Sequence, residues 1–289
     1  MSDRFTAPAP GKLFDLLVAQ FATWSRNTLR ERLRLGCVQV DGAVVGRGDH
    51  PVAAGAEVTI GSRSGGAGAA PRPRASGGPP LPLLYIDPDL LAVDKPSGLL
   101  SVSTDDEHER TALVRARQLL PGGIGGLWPV HRLDRDTSGV LLFARSRTAR
   151  DTVQASWREV KKRYVAIVAG CPAEDSGTID APLWEDQNLR VRVGDHADAK
   201  PARTHWRVAQ RSRDRAWLEI ELDTGRKHQI RAHLAHFGHP VLGDERYGTA
   251  GPRLCLHALD LVMVQPTTRA PLHLVAPVPA ELRKTFGAR

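Results

Sequence analysis

The sequence predicts an α+β protein in two parts, and three observations carry the prediction. Short runs of strand-forming residues alternate with a few helical patterns along most of the chain. Residues 61–80, GSRSGGAGAAPRPRASGGPP, contain nothing that can form a core, and they divide residues 11–60 from residues 81–289. Val140–Ala144 (VLLFA) is a continuous apolar run bounded by Gly139 and Arg145, which reads as a strand buried on both faces. A length of 289 residues fits about two domains at roughly 100–200 residues each.

Composition narrows the class. Hydrophobic residues at 41% with 25% charged are ordinary for a globular chain. The formal net charge is +8 and the pI about 9.8, which favours a polyanionic partner. Three cysteines, Cys37, Cys171 and Cys255, form no CxxC pair and read as reduced thiols in a cytoplasmic protein. The N-terminal MSDRFTAPAPGK is too polar for a signal peptide, and no run approaches the length of a membrane span.

The first ten residues read as a flexible lead-in. From Lys12, Leu13, Leu16, Leu17 and Phe21 are spaced for one helical face. Ser25 is placed to cap a second helix, Arg26–Leu35, on which Arg26, Arg30 and Arg34 form a basic stripe. Gly36 is placed to stop it. Cys37–Val40 and Ala43–Val45 flank the hairpin signal Asp41-Gly42, and Glu57–Ile60 reads as a further strand.

Beyond the linker, Leu83–Ile86 and Leu90–Val93 read as paired strands around the turn Asp87-Pro88-Asp89. Asp94-Lys95-Pro96-Ser97-Gly98-Leu99 follows, with Lys95 readable as a phosphate contact or an exposed charge. Thr111–Leu120 has a helical pattern, and Pro121–Gly126 reads as a mobile loop. Immediately before the apolar run lies a packet of charge: His131, Arg132, Asp134, Arg135 and Asp136. A rigid strand carrying ionisable groups on its leading loop is a common way to place chemistry. The same carboxylates are also suited to a charged turn paired with Arg132 and Arg135. Arg147–Trp157 reads as a helix, and Lys161–Gly170, Thr204–Gln210 and Ala216–Leu222 read as strands. Pro182–Asp198 reads as an irregular surface excursion. Asp223 or Thr224 is placed to cap a last helix that Gly238 and Pro240 end.

Three segments resemble signatures of the RluA-type RNA pseudouridine synthases. They are His131-Arg132-Leu133-Asp134 with Thr137-Ser138-Gly139; Lys162, Tyr164, Ala166, Val168 and Gly170; and Thr224-Gly225-Arg226 with His228-Gln229-Ile230-Arg231, His233, Gly238, Pro240, Gly243-Asp244 and Tyr247-Gly248. The likeness covers about residues 83–279. It implies a mixed, largely antiparallel sheet catalytic domain with a cleft across it. It implies that Asp134 is the catalytic aspartate, that Tyr164 stacks on the target base, and that an arginine pairs with Asp134, Arg231 first and Arg226 second. Arg132 and His131 are then candidates to fill the gap left by a flipped nucleotide or to hold its phosphate. Residues 11–60, on SRNTLRERLRLGCVQVDGAVV, resemble the S-four-type RNA-binding module, named for a ribosomal protein.

The implied reaction breaks a C–N glycosidic bond and forms a C–C bond at carbon 5 of the same uracil. It is redox-neutral and non-hydrolytic, so it calls for no cofactor or metal. Asp134 would either attack ribose carbon 1′ or take a proton from carbon 2′. The implied partner is structured RNA, ribosomal first and transfer RNA second, acted on by a monomer. A metal reading of His228, His233, His236 and His239 lacks the HExxH and zinc-deaminase patterns. A second rival is a non-catalytic RNA-binding or assembly factor on the same fold.

Overall fold

The strand over Ser138–Ala144 is buried along its whole length, and the side chains on its two faces enter two different cores. Val140, Leu142 and Ala144 pack with Ala149 and Val153, while Leu141 and Phe143 pack with Ala112 and Ala116. This is why the run lacks the alternation of a half-buried strand. The computed structural model of the chain describes residues 3–34, 36–61, 79, 81–102, 111–120 and 126–287. The linker, apart from Gly61 and Pro79, and the predicted mobile loop, apart from Gly126, lie outside the described residues.

The chain divides into two units, Met1–Ser76 and Gly77–Arg289. The first contains β1 (Asp3–Thr6), β2 (Gly11–Lys12), α1 (Leu13–Gln20), α2 (Arg26–Arg34), β3 (Val38–Val40), β4 (Ala43–Val44), β5 (Pro51–Val52) and β6 (Glu57–Ile60). A four-stranded antiparallel sheet runs β1-β6-β3-β4. Leu13, Leu17, Leu29 and Leu33 lie under the helices against Val38 and Val58. Ser25 Oγ accepts the Thr28 N–H at 3.1 Å, the expected cap, and Gly36 takes φ +66 at the helix end. The expectation of a flexible lead-in is corrected: Asp3–Thr6 pairs in register with Glu57–Ile60, because an open edge of β6 offers it hydrogen bonds.

The second unit holds β7 (Leu83–Ile86), β8 (Leu90–Lys95), α3 (Ala112–Arg117), β9 (Trp128–Pro129), β10 (Ser138–Ala144), α4 (Arg147–Ala155), β11 (Lys161–Ala169), β12 (Ser176–Asp180), β13 (Leu183–Glu185), β14 (Val191–Val193), β15 (Arg203–Arg211), β16 (Arg215–Leu222), α5 (Gln229–His236), β17 (Leu256–Val264), β18 (Pro271–Val275) and α6 (Ala280–Gly287). Its main sheet runs β12-β15-β16-β11-β17-β10-β8-β7, with β18 on β17 and β9 on β10. Among the described pairings of that sheet, β10–β17 is parallel and the others antiparallel, so the sheet is mixed and largely antiparallel. The predicted surface excursion is corrected in part: Leu183–Glu185 and Val191–Val193 form a hairpin whose Leu183 and Val191 bury against Ala232 of α5.

Where β10 meets β17, Gly139 has φ +114, and a Cβ there would lie 2.1 Å from the Ala258 carbonyl oxygen. Only glycine lets the two backbones approach so closely. Ala258 also pairs with Tyr164 of β11. The strand that follows the charged loop and the strand carrying Tyr164 therefore flank β17, two strand spacings, or about 10 Å, apart. Among the described residues, no helix is long and apolar enough to cross a membrane.

Candidate active site

An open cleft of about 1330 Å³ crosses the second unit, lined among others by Arg132, Asp134, Tyr164, Arg226, His228, Arg231 and Arg253. Its floor is built from the loop ahead of β10, the middle of the sheet and the start of α5.

The loop is held from below. Lys95 is fully buried, and its Nζ donates to the carbonyls of Arg135 at 2.8 Å, Leu99 at 2.7 Å and Pro96 at 3.0 Å. Ser97 Oγ donates to the Asp136 carbonyl, and Ser101 Oγ both donates to the Leu133 carbonyl and accepts the Leu133 N–H. Burial pushes the Lys95 pKa down to about 7, against the pull of Asp136 and Asp134. The expectation that Lys95 contacts phosphate is corrected: an ammonium spent on three carbonyls and closed to solvent fixes the backbone on either side of Asp134 instead.

His131 is corrected in the same way. Its Nε2 accepts the Leu142 N–H at 3.1 Å, and its ring stacks on Trp157 with centroids 4.8 Å apart. Burial, helped by Lys162, lowers its pKa from 6.5 to about 3. An uncharged ring so engaged offers no cation to a phosphate. Arg132, the next residue, is exposed and lines the cleft.

Asp134 receives Arg231. Nη1 donates to Asp134 Oδ2 at 3.2 Å, while Nε and Nη2 hold Asp244 Oδ2 and Oδ1 at 2.7 and 2.8 Å. The Asp244 carboxylate is closed to solvent and also accepts the N–H groups of Arg246 and Tyr247. Burial alone would lower the Arg231 pKa and raise that of Asp244. Their mutual hydrogen bonds and charges outweigh it, so both remain ionised across the neutral range. Arg226, the second choice for this partner, donates instead to the Pro201 carbonyl at 3.1 Å and stands exposed at the cleft.

The start of α5 positions Arg231. Neither Asp223 nor Thr224 caps the helix, which corrects that expectation. The helix begins at Gln229 behind His228, whose φ of +51 is left-handed. Gln229 does the tethering: its Oε1 accepts from the Arg226 N–H and Thr224 Oγ1, and its Nε2 donates to the Arg203 carbonyl and Thr204 Oγ1. His233 is buried, with Nδ1 on Thr204 Oγ1 and Nε2 on the Ala181 carbonyl, so both nitrogens serve the fold.

Tyr164 lies beside a register irregularity between Arg163 and Tyr164, where β11 skips one residue of β17. Such a bulge re-aims side chains next to a site. Burial, with the Asp134 charge second, raises the phenol pKa, so Tyr164 stays protonated over the working range. In the first unit Arg26 and Arg30 of α2 are exposed, and Arg30 also lies over the Phe14 ring at 5.2 Å. The side chain of Arg34 lies outside the described residues.

Asp244, His228 and Tyr247 were not singled out as site residues by sequence. The signal that places them is their position in the third signature, where Gly243 has φ +76 and a Cβ would meet the Arg253 carbonyl oxygen.

Residues 89–236 match the family described as RNA pseudouridylate synthase. The chain is 33% identical to the "Ribosomal large subunit pseudouridine synthase D" of Xanthomonas campestris pv. campestris, covering 97% of this chain and 89% of that protein. The protein of the same name from Xylella fastidiosa is also 33% identical, with the same coverage. Among solved structures, "Human RNA Pseudouridylate Synthase Domain Containing 4" superposes with a TM-score of 0.61 at 24% identity, covering 71% of this chain and 92% of that one, which bears on the fold alone.

Proposed function

The chain belongs to the RNA pseudouridylate synthase family, and from that premise we propose that this isomerase converts a specific uridine of large-subunit ribosomal RNA to pseudouridine, with Asp134 as its catalytic carboxylate. The observation that carries the residue assignment is the ion pair at the cleft floor. Arg231, itself locked by Asp244, meets Asp134 on a loop whose backbone is fixed by Lys95 and Ser101.

The parts divide the work. A uridine inside folded RNA has to leave its stack to reach a floor of this kind. Arg132 and Arg226, both exposed at the cleft, hold backbone phosphates of the flipped nucleotide. The Asp134 carboxylate acts at the ribose, either on carbon 1′ or on the carbon 2′ proton. Arg231 pairs with it and orients it. The freed uracil stays in the cleft on Tyr164, whose ring offers a flat stacking face, until carbon 5 bonds to carbon 1′. The carbon 5 proton then leaves and N1, freed from carbon 1′, takes up a proton, so no atom is gained or lost overall.

The ribosomal assignment is supported by the names of the relatives in Xanthomonas and Xylella. Residues 11–60 act as an S-four-like RNA-binding module with Arg26, Arg30 and Arg34 on its basic helix, and the protein works as a cytoplasmic monomer. The test uses ribosomal and transfer RNA transcripts tritiated at uridine carbon 5, incubated with wild type and Asp134→Asn. Tritium release from ribosomal RNA by wild type alone is the expected result. Release from transfer RNA alone moves the substrate, and no release from any RNA that the protein still binds overturns the assignment.

A further inference from the structure

His228 lies in the cleft with a side chain 12% exposed, yet no step above uses it. Three features set it apart. Its backbone is left-handed, at φ +51, a conformation that is strained for a non-glycine residue and persists only where the surroundings impose it. Its Nδ1 lies 2.9 Å from Tyr247 Oη. Its Nε2 lies 3.9 Å from Asp134 Oδ2, the same carboxylate oxygen that Arg231 Nη1 approaches.

The Tyr247 hydroxyl faces Nδ1, the nitrogen turned away from Asp134. Tyr247 Oη accepts the Val191 N–H at 3.1 Å, so its own hydrogen is free for an acceptor on the other side, and Nδ1 of His228 occupies that place. With the Tyr247 hydroxyl as the donor to Nδ1, the imidazole is a neutral ring with hydrogen on Nε2, the nitrogen that faces Asp134. Tyr247 is itself fixed, because its N–H donates to Asp244 and its ring lies under the guanidinium groups of Arg190 and Arg231, at 5.2 and 5.3 Å.

We propose that His228, held by Tyr247 as the Nε2–H tautomer, is a positioning residue for Asp134: with Arg231 it donates to Oδ2, which leaves Oδ1 turned to the ribose. The inference rests on the synthase reading above and on Asp134 as its carboxylate. A separation of 3.9 Å is longer than a hydrogen bond and closes on a small shift of either group once RNA fills the cleft. Burial, with Arg231, Lys227 and Arg246 adding to it and Asp134 opposing, lowers the His228 pKa, which keeps the ring neutral at the pH of function. The design gives the carboxylate two donors of which only one is charged. It is oriented by both without a second cation beside it.

Two measurements on the 289-residue chain test this. The first is the nitrogen spectrum of histidine-labelled protein without RNA, with the His228 signals assigned by their loss in His228→Gln. Wild type is expected to show hydrogen on Nε2, and Tyr247→Phe a mixture of tautomers. Hydrogen on Nδ1 in wild type overturns the proposal whatever the substrate proves to be. The second is the single-turnover rate on the RNA that releases tritium. His228→Ala is expected to slow it about 10–100-fold, the effect of one lost hydrogen bond to a charged group. RNA affinity should stay within about twofold. His228→Gln, which keeps a donor near the Nε2 position, should recover most of the rate. A loss confined to RNA affinity, a wild-type rate in His228→Ala, or a glutamine variant as slow as the alanine one overturns it. Inactivity of the wild type on every RNA instead sinks the functional reading, and the spectrum still decides the tautomer.

Discussion

Asp244 holds the Arg231 guanidinium through both carboxylate oxygens, at 2.7 and 2.8 Å, in a place closed to solvent. That fork leaves Nη1 as the edge that reaches Asp134, so the aim of the arginine is set by a residue that does not touch the substrate. Removing one partner of a buried pair leaves the other charge uncompensated. Asp244→Ala is therefore expected to lower the unfolding free energy by about 3–5 kcal/mol, measured by urea denaturation. A loss below about 1 kcal/mol, the scale of a surface pair, would contradict the role given to Asp244.

Arg132 and Lys95 flank the same carboxylate loop but face opposite ways. Arg132→Ala should reduce the slope of log RNA affinity against log salt by about 0.7–0.9, the signature of one lost phosphate contact. Lys95→Met should leave that slope unchanged, because its ammonium is spent on three backbone carbonyls, and should lower the melting temperature instead. Filter-binding titrations across salt read the first, calorimetry the second. An unchanged slope and full activity in Arg132→Ala would remove Arg132 from the site.

Acid should destabilise the protein earlier than its carboxylates require. His131 is half-buried and held neutral, with a pKa of about 3 against 6.5 when unfolded. The unfolded chain therefore binds the extra proton throughout that window, and stability falls as pH drops from about 6.5 towards 3. His257, lowered mainly by burial to about 4, adds to the upper part of the window. At pH 5 the His131 share alone comes to about 2 kcal/mol. Urea midpoints at pH 7, 6 and 5 check this, with His131→Asn expected to show the shallower fall. Equal midpoints at the three values would refute it.

Gly139→Ala should fail structurally, not chemically. The added methyl would meet the Ala258 carbonyl oxygen at 2.1 Å on a backbone at φ +114, so β10 and β17 have to separate. Destabilisation above about 2 kcal/mol, with a matching loss of soluble protein, is expected. A wild-type midpoint would mean that the parallel pairing of Ser138–Gly139 with His257–Ala258 tolerates a shift.

Much of the fold was legible because its signals are local. The apolar run Val140–Ala144, the strand Glu57–Ile60, the Ser25 cap and the Gly36 stop are each written in a few neighbouring residues, and the structure places them there. The misreadings share one cause. Asp3–Thr6 has no strand pattern of its own and is a strand only because β6 offers it an edge, and Leu183–Val193 is a hairpin only because α5 covers it.

The sequence by itself determined that three signatures resembling one family stand in order along the chain, with Asp134, Tyr164 and Arg231 at their marked positions. Those assignments depend on residue type and spacing, which a chain carries before it folds. Tertiary structure alone decided which arginine faces Asp134, since Arg231 lies 97 residues away and Arg226 turns to the Pro201 carbonyl. It also decided that Lys95 and His131 serve the scaffold rather than the RNA. A charged or polar side chain reads alike in sequence whether it meets solvent or buried carbonyls and amides. Only the packing of the sheet determines which partner is within hydrogen-bond reach.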